Sequence, residues 1–221
     1  MPHEESLMTN HGGHELSAPT NDVASDAIVA MDARHAIEIL EPLPGELVLD
    51  AGCGTGRNLA AMAKAGAHVV GVDFSQAALG VAREVHAGAH LARVDLQAGL
   101  PFADGTFDAV LCALVGEHVS NLAAALSELR RVLRTGGRLV FSIPHPRLVR
   151  EESADHHHAG AAHHSGYFGR GVQEYLDFVM DAGFDSLGFA EYSGDQRLAD
   201  EVPGAQQCVG LPVLLLIAAS T

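Results

Sequence analysis

A glycine-dense turn between an apolar strand and a helix is the feature that most constrains the fold of this 221-residue chain. Residues 48–58 read VLDAGCGTGRN, with glycines at Gly52, Gly54 and Gly56. Without Cβ atoms at these positions, the backbone can bend sharply and approach a ligand closely. The spacing is not the Gly-x-Gly-x-x-Gly of a dinucleotide loop, and the lysine of a P-loop is missing. The segment therefore predicts a strand–loop–helix unit whose loop serves another ligand.

Acidic residues follow three successive apolar runs of the chain. These residues are Asp50, Asp73 and Asp95. In an open parallel sheet, ligands bind beyond the carboxyl ends of the strands. A carboxylate at Asp73 can accept hydrogen bonds from both ribose hydroxyls of an adenosine, and Phe74 offers an apolar face to adenine. Asp95 can accept from the exocyclic amine of the base, so the three strand ends predict one nucleoside site.

The remaining pattern alternates helices and strands. Ser75 is placed as the N-cap of a helix, and Gly136 with Gly137 is placed as the end of another. The segment Pro42 to Gly45 separates a first helix from the first strand. The predicted helices are 22–40, 76–86, 121–134 and 172–182, and the predicted later strands are 107–113, 138–143, 185–192 and 211–218.

The glycine loop, the segment LPFADGTFDAV and the segment LRTGGRLVFSIPHP together resemble class I S-adenosylmethionine (SAM) dependent methyltransferases. The small-molecule branch, of ubiquinone/menaquinone-biosynthesis-like enzymes, is the most similar. The resemblance covers residues 46–145 and, more loosely, 172–218; it does not extend to residues 1–35 and 146–171. It implies an α/β fold, a Rossmann-like doubly wound, mostly parallel sheet of seven strands. The implied order is 3-2-1-4-5-7-6, with the last strand antiparallel.

The resemblance also implies which residues hold the cofactor and which react. His145 after strand 5 and His118 after strand 4 are the candidate bases, since a neutral imidazole is a suitable proton acceptor near pH 7. Tyr167 and Tyr175 are candidate substrate contacts. The implied cofactor-binding residues are Asp50, Gly52, Cys53, Gly54, Gly56, Asn58, Asp73, Phe74, Asp95, Leu96, Ala113 and His118.

Several of these residues also have a purely structural interpretation. Asp50 can cap the turn, Cys53 can simply fill it as a small residue, and His118 can form a structural cap over the cofactor. The N-terminal helix is either a lid over the cofactor, as the resemblance implies, or a helix packed only for stability. The expected organisation is a mobile start with a lid helix at 1–45, then a SAM-binding domain at 46–221 with a substrate loop at about 146–171.

Composition limits the partners. The formal net charge of −15 repels phosphate backbones, so a nucleic-acid substrate is not expected. No apolar run reaches membrane-spanning length, and the polar start lacks the pattern of a signal peptide. Three cysteines form no close pair. We expect a cytoplasmic monomer or homodimer that acts on a small molecule.

Two features leave alternatives open. The tract His156–His158 with His163 and His164 could bind a transition metal, but no cysteine or well-spaced carboxylate completes a site. No metal is therefore expected. The same cofactor loop could also support ring closure or alkyl transfer that releases methylthioadenosine, and a non-enzymatic SAM-fold partner or sensor is a further alternative.

Overall fold

The computed structural model describes residues 23–148 and 168–221. Within them, seven strands form one sheet in the order β3-β2-β1-β4-β5-β7-β6. Strands β1 to β5 pair in parallel, whereas β7 runs antiparallel to both β5 and β6. The predicted order and the antiparallel last strand are confirmed. The strands are β1 (Leu47–Ala51), β2 (His68–Asp73), β3 (His90–Arg93), β4 (Phe107–Ala113), β5 (Leu133–Pro144), β6 (Ser186–Ser193) and β7 (Pro212–Ser220).

Helices cover both faces of this sheet, and local signals fix several of their ends. The Ser75 hydroxyl accepts from the Ala78 amide at 3.2 Å, as an N-cap does, and Asn121 caps the next long helix in the same way. The helices are α1 (Val23–Leu40), α2 (Leu59–Lys64), α3 (Gln76–Val85), α4 (Leu122–Val132), α5 (Val172–Asp181) and α6 (Gln196–Glu201), with 3₁₀ turns at Gly116–His118 and Ala205–Cys208.

The core divides between the two faces of the sheet. On one face, α4 and α5 bury Leu126 and Val179 against Phe141 of β5. On the other face, Leu40 and Met62 of α1 and α2 pack in a second apolar cluster. Burial of this kind supplies most of the favourable free energy of folding. The sheet is therefore fixed in the middle of the domain, and its carboxyl edge is left to carry the loops.

Helix α1 is an integral part of the second face. It packs across β4, β5 and β7. Ala27 and Met31 are buried, as the apolar spacing predicted, whereas Val23 and Ile37 are only partly buried. The buried set also contains an acidic residue, Asp32, that the apolar pattern does not predict. This packing belongs to a stabilising helix, and a lid function for α1 stays a prediction.

The end of α4 differs from the sequence-based expectation. The helix was expected to continue to Arg134, but it ends at Val132, and Leu133 already pairs with Phe107 as part of β5. Arg134 forms an ion pair with Asp108 at the start of β4. The helix ends two residues early because the pairing of Leu133 with Phe107 competes with the last helical turn. Strand β5 therefore starts five positions before the predicted Arg138, and Gly136 and Gly137 lie within it and not at the end of the helix.

Candidate cofactor site

The glycine loop after β1 has the backbone shape that only glycine adopts readily. Gly52, Gly54 and Gly56 have φ angles of 83°, 55° and 89°. A Cβ at Gly52 would lie 2.3 Å from the Val115 side chain, whereas a Cβ at Gly54 would meet nothing within 4 Å. Gly52 is therefore a packing glycine, and the backbone at Gly54 has open space beside it for a ligand.

Asp73 at the end of β2 connects this loop to the next one. One carboxylate oxygen accepts from the Gly54 amide at 2.8 Å, and the other accepts from the Ser75 amide at 2.7 Å. Each carboxylate oxygen has a further lone pair for a ligand. The carboxylate is thus held rigidly next to the open side of the loop, where the sequence predicted a ribose contact.

The residues expected to contact adenine lie at the ends of β2 and β3. Phe74 is 40% exposed, and the Arg93 guanidinium lies 5.2 Å from its ring centroid. An Asp95 carboxylate oxygen accepts from the Gln97 amide at 3.0 Å, and Leu96 is buried. The exposed ring and the neighbouring carboxylate are brought to the same edge of the sheet, but their contacts with adenine stay predictions.

Asp50 is the most unusual carboxyl group of the loop region. Its side chain is buried, and one oxygen, Oδ2, has no hydrogen-bond partner among residues 23–148 and 168–221. Burial raises the pKa of Asp50 to about 7; Arg57 opposes this shift, and Asp32 and Asp73 add to it. A buried carboxylate without a partner is unfavourable. A ligand cation at this position would remove the penalty, so the loop fits a positively charged ligand group.

Three other residues of the predicted set have packing roles. Cys53 is buried, and burial raises the pKa of its thiol, so the thiolate is disfavoured. Its sulfur lies 2.9 Å from where a Cβ on Gly71 would stand. Asn58 is buried at the start of α2 without capping it, and Ala113 is buried at the end of β4. Cofactor contacts of these residues stay predictions.

An ion pair between the buried Asp32 and the partly exposed Arg57 links α1 to the loop, and the sequence did not reveal it. The Arg57 guanidinium donates to an Asp32 oxygen at 2.6 Å, and the other Asp32 oxygen accepts from the Ser142 hydroxyl at 2.5 Å. Arg57 directly follows Gly56, and Ser142 belongs to β5. Asp32 therefore joins the N-terminal helix, the cofactor loop and the neighbouring strand.

A second residue that the sequence analysis missed is Glu117, in the 3₁₀ turn after β4. The residue is only 4% exposed, and no described residue forms a hydrogen bond with its Oε2 atom. Burial raises the pKa of Glu117 to about 8; a backbone hydrogen bond opposes the shift and Asp32 adds to it. The dipeptide Glu-His gave no sign of this, because burial of the acid depends on residues from distant parts of the chain.

The two candidate bases differ in their surroundings. His145 is buried; its Nε2 atom lies 2.9 Å from a Glu191 oxygen, and its Nδ1 atom accepts from the Arg147 amide at 3.2 Å. Both ring nitrogens are thus engaged, which favours a structural role. The His118 side chain is 27% exposed, and its Nε2 atom lies 3.8 Å from a Glu117 oxygen. A base function stays a prediction for both.

Of the two tyrosines expected to contact substrate, Tyr167 lies outside the described residues. Tyr175 is buried in the core with 2% of its surface exposed. Its ring lies 6.1 Å from the Phe141 ring and 5.9 Å from the Arg170 guanidinium. These contacts favour a structural role, and a substrate contact stays a prediction.

The described part of the chain offers neither a metal-binding cluster nor a membrane-spanning helix. Residues 23–148 and 168–221 contain no group of three or more His, Cys, Asp or Glu side chains that could hold a metal ion. The histidine tract at 156–164 lies outside them. None of the described helices is long and apolar enough to cross a membrane.

The sheet order, the glycine loop after β1 and the carboxylate after β2 define the class I methyltransferase fold. Residues 49–141 match the family model described as a methyltransferase domain. The resemblance to class I SAM-dependent methyltransferases of the quinone-biosynthesis-like branch is thereby confirmed.

Two curated proteins are similar to this chain in sequence. The chain is 42% identical to a demethylmenaquinone methyltransferase of Corynebacterium kroppenstedtii, over 65% of this chain and 62% of that protein. It is 31% identical to an uncharacterised 37.1 kDa protein of transposon Tn4556 of Streptomyces fradiae, over 92% of this chain and 65% of that protein. The chain thus spans less than two thirds of these curated relatives.

A solved structure shares the fold over nearly the whole chain. A SAM-dependent methyltransferase from Mesorhizobium loti superposes with a TM-score of 0.69 at 22% identity, over 91% of this chain and 99% of that chain.

Proposed function

We propose that the protein binds SAM and transfers its methyl group to an oxygen, nitrogen or carbon nucleophile of a small molecule. The observation that carries this proposal is the buried Asp50 carboxyl, whose Oδ2 atom has no partner among the described residues. SAM has a methionine ammonium and a sulfonium, and either cation offsets the penalty of a buried carboxylate. An anion would not.

The residues around Asp50 fit the other parts of the same cofactor. Asp73 would bind the ribose hydroxyls, because its two oxygens are fixed by backbone amides beside the open face of Gly54. Phe74 and Asp95 would contact adenine. The methionine end would lie along the loop, next to Asp50. Every group of this set stands at the carboxyl edge of the sheet, where α/β folds bind ligands.

The chain has a limited part in the chemistry, because the bound cofactor supplies a methyl group that is already activated. The protein has to align the nucleophile, exclude water and accept a proton where the nucleophile carries one. Alignment of bound reactants can contribute about 7–11 kcal/mol in favourable intramolecular cases. His118 and His145 are the predicted proton acceptors, and of these His118 has the more accessible ring.

The relatives and the charge support a small-molecule substrate. Several relatives are demethylmenaquinone methyltransferases, whose substrate is a small molecule by name. The net charge of −15 disfavours nucleic acid. We further propose a cytoplasmic protein that is a monomer or a homodimer, with the substrate bound between the N-terminal region and the segment after β5.

Calorimetric titration with SAM tests binding, and the product tests the reaction. We expect SAM to bind, and S-adenosylhomocysteine (SAH) to appear once a methyl acceptor is found. Absence of heat and of any thermal shift at millimolar SAM would contradict the proposal. Release of methylthioadenosine instead of SAH would show ring closure or alkyl transfer.

An isosteric variant isolates the contact with the ammonium. Methylthioadenosine has no amino-acid part, so Asp50→Asn should weaken binding of SAM and SAH and leave binding of methylthioadenosine unchanged. Equal weakening of all three ligands would show that Asp50 supports the loop and does not bind the ammonium.

A further inference from the structure

Two buried carboxyl groups with unpartnered oxygens belong to neighbouring strand ends. Asp50 is the penultimate residue of β1 and Glu117 follows β4, and these strands are neighbours in the sheet. The strand order reverses between β1 and β4, which is the switch point where open α/β sheets bind ligands. The proposed function assigns Asp50 a contact with the cofactor, but it assigns no contact or chemical role to Glu117.

The turn that carries Glu117 packs against the cofactor loop, because the Val115 side chain lies 2.3 Å from where a Cβ on Gly52 would stand. Glu117 and Asp50 both interact electrostatically with Asp32 and with the Cys112 thiol. Asp32 in turn contacts Arg57, which directly follows the glycine loop. The titratable groups that face Glu117 are Asp32 of α1, Cys112 of β4, the neighbouring His118 and Tyr175 of α5.

The backbone that carries Glu117 is held firmly. The Arg170 guanidinium donates to the carbonyls of Gly116, Val119 and Ser120 at 2.8–3.1 Å. The Phe168 amide donates to the Glu117 carbonyl at 3.0 Å. A short segment before α5 therefore fixes the turn after β4 through four hydrogen bonds to its carbonyl groups. Such fixation is what a group needs to meet a reacting atom in one geometry.

We propose that Glu117 is the catalytic group that accepts the proton of the methyl acceptor. This inference rests on the proposed function and restricts the substrate to nucleophiles that carry a proton, such as a hydroxyl or an N–H group. It moves the base from the two histidines to a buried carboxyl group next to His118.

The step balances in atoms and charge. The bond between the nucleophile and its hydrogen breaks, and the proton goes to Glu117 Oε2, which becomes a neutral carboxylic acid. The electron pair left on the nucleophile forms the new bond to the methyl carbon, and the pair of the broken carbon–sulfur bond stays on sulfur. One cation and one carboxylate are neutralised together, which suits a site of low polarity. His118, 3.8 Å away and partly exposed, then offers the proton a path to solvent.

The resting state of Glu117 makes this role dependent on the cofactor. With a pKa of about 8, the ligand-free side chain is mostly protonated at pH 7. A nearby cation favours the ionised form of a carboxyl group, by about 1–3 pKa units at close range. The sulfonium of SAM should therefore lower the pKa of Glu117, so that the carboxyl group loses its proton and can act as the base. SAH has a neutral sulfur and should not have this effect.

The experiment compares proton release on binding SAM and SAH, measured by calorimetry at pH 7 in buffers of different ionisation enthalpy. Any proton released by the shared ammonium at Asp50 is common to both ligands. We expect SAM to release roughly 0.4–0.9 proton more than SAH, given a shift of that size. In Glu117→Gln this difference should vanish, and in Glu84→Gln, an exposed control on α3, it should persist.

The outcomes separate the two proposals. No binding of SAM would overturn the proposed function itself. Binding of SAM with the same difference in the wild-type protein and in Glu117→Gln would overturn only the role of Glu117. If Glu117→Gln does not fold, NMR titration of ¹³C-labelled glutamate in the wild-type protein gives the answer. One carboxyl should titrate near pH 8, move to lower pH with SAM and stay in place with SAH; a signal unmoved by SAM would overturn the inference.

Discussion

The region of β1 to β3 and the region of β4 and β5 both place a carboxyl group at the carboxyl edge of the sheet, in opposite environments. Asp73 after β2 has each oxygen bonded to a backbone amide. Glu117 after β4 is buried with an unpartnered oxygen and a pKa raised to about 8. Backbone amides hold a carboxylate in one position. Burial without partners lets a carboxyl gain and lose a proton near neutral pH, so Asp73 suits recognition and Glu117 suits chemistry.

The largest expected effect concerns the recognition region. Asp73→Ala should lower SAM affinity about 100-fold or more, roughly 3 kcal/mol, because hydrogen bonds to a charged group are worth about 1.5–3 kcal/mol each. Calorimetry measures this. Asp104→Ala, whose side chain is 82% exposed in a turn, is the control and should bind normally. An unchanged affinity in Asp73→Ala would exclude the ribose contact.

Loss of the ion pair between Asp32 and Arg57, which links the two regions, should have the next largest effect. Arg57→Met leaves the buried Asp32 without its cationic partner, so the free energy of unfolding should fall by about 3 kcal/mol. Arg197→Met removes a surface pair with Glu201 and should leave the free energy of unfolding almost unchanged. Urea unfolding compares the variants. Equal effects would mean that the Asp32 pair is no more buried in solution than a surface pair.

A pH series tests the chemical region. Folded Glu117 holds its proton up to about pH 8, whereas the unfolded chain releases it above the ordinary value of 4.5. Between these values the folded state binds more protons, so stability should fall as pH rises. Urea unfolding of the ligand-free protein from pH 5 to pH 8 measures the slope.

Glu117→Gln should reduce this slope by up to about 1.4 kcal/mol per pH unit, and Glu84→Gln should keep it. The same slope in all three proteins would contradict a buried, unpaired carboxyl at Glu117. Asp50, whose pKa is raised to about 7, should contribute in the same direction up to that pH.

The smallest expected effect concerns the support of Glu117. Arg170→Lys replaces a planar fork that meets three carbonyls with a single ammonium, so stability should fall by about 1 kcal/mol. The Glu117 titration should also move towards its ordinary range, because water gains access to the loosened turn. Arg130→Lys, which loses one contact to the Gly183 carbonyl, should leave that titration unchanged. A shift in both variants would point to a general loss of packing.

The same comparison explains how much of the molecule the sequence could predict. The glycine loop and the strands around it were predictable because their signals are local: glycines at fixed spacing, apolar runs and an acid after each run. The sheet order came from the resemblance to the methyltransferase family, because periodicity alone does not establish which strands are neighbours. Asp73 was predicted for the same reason. Asp32 was not, since its partner Ser142 is 110 positions away and an acid on an amphipathic helix normally faces solvent.

Glu117 and the short helix α6 were missed for related reasons. Whether Glu117 is buried depends on α1, β4 and α5 together, which no local pattern contains. Helix α6 has only six residues and is held by ion pairs of Arg34 with Asp195 and Glu201. The end of α4 was misplaced because strand pairing at Leu133 overrides the helical spacing.

Because β7 lies between β5 and β6, the strands of the sheet cannot pair in the order in which the ribosome synthesises them. Strands β1 to β5 find their partners among themselves as they emerge. Strand β6 is joined to the rest of the sheet only through β7. The backbone N–H and C=O groups of β6, residues 186–193, therefore have no strand partner until residues 212–220 of β7 have been synthesised. Nascent chains stalled in this interval would expose a strand edge, which is the state most open to chaperone capture or aggregation.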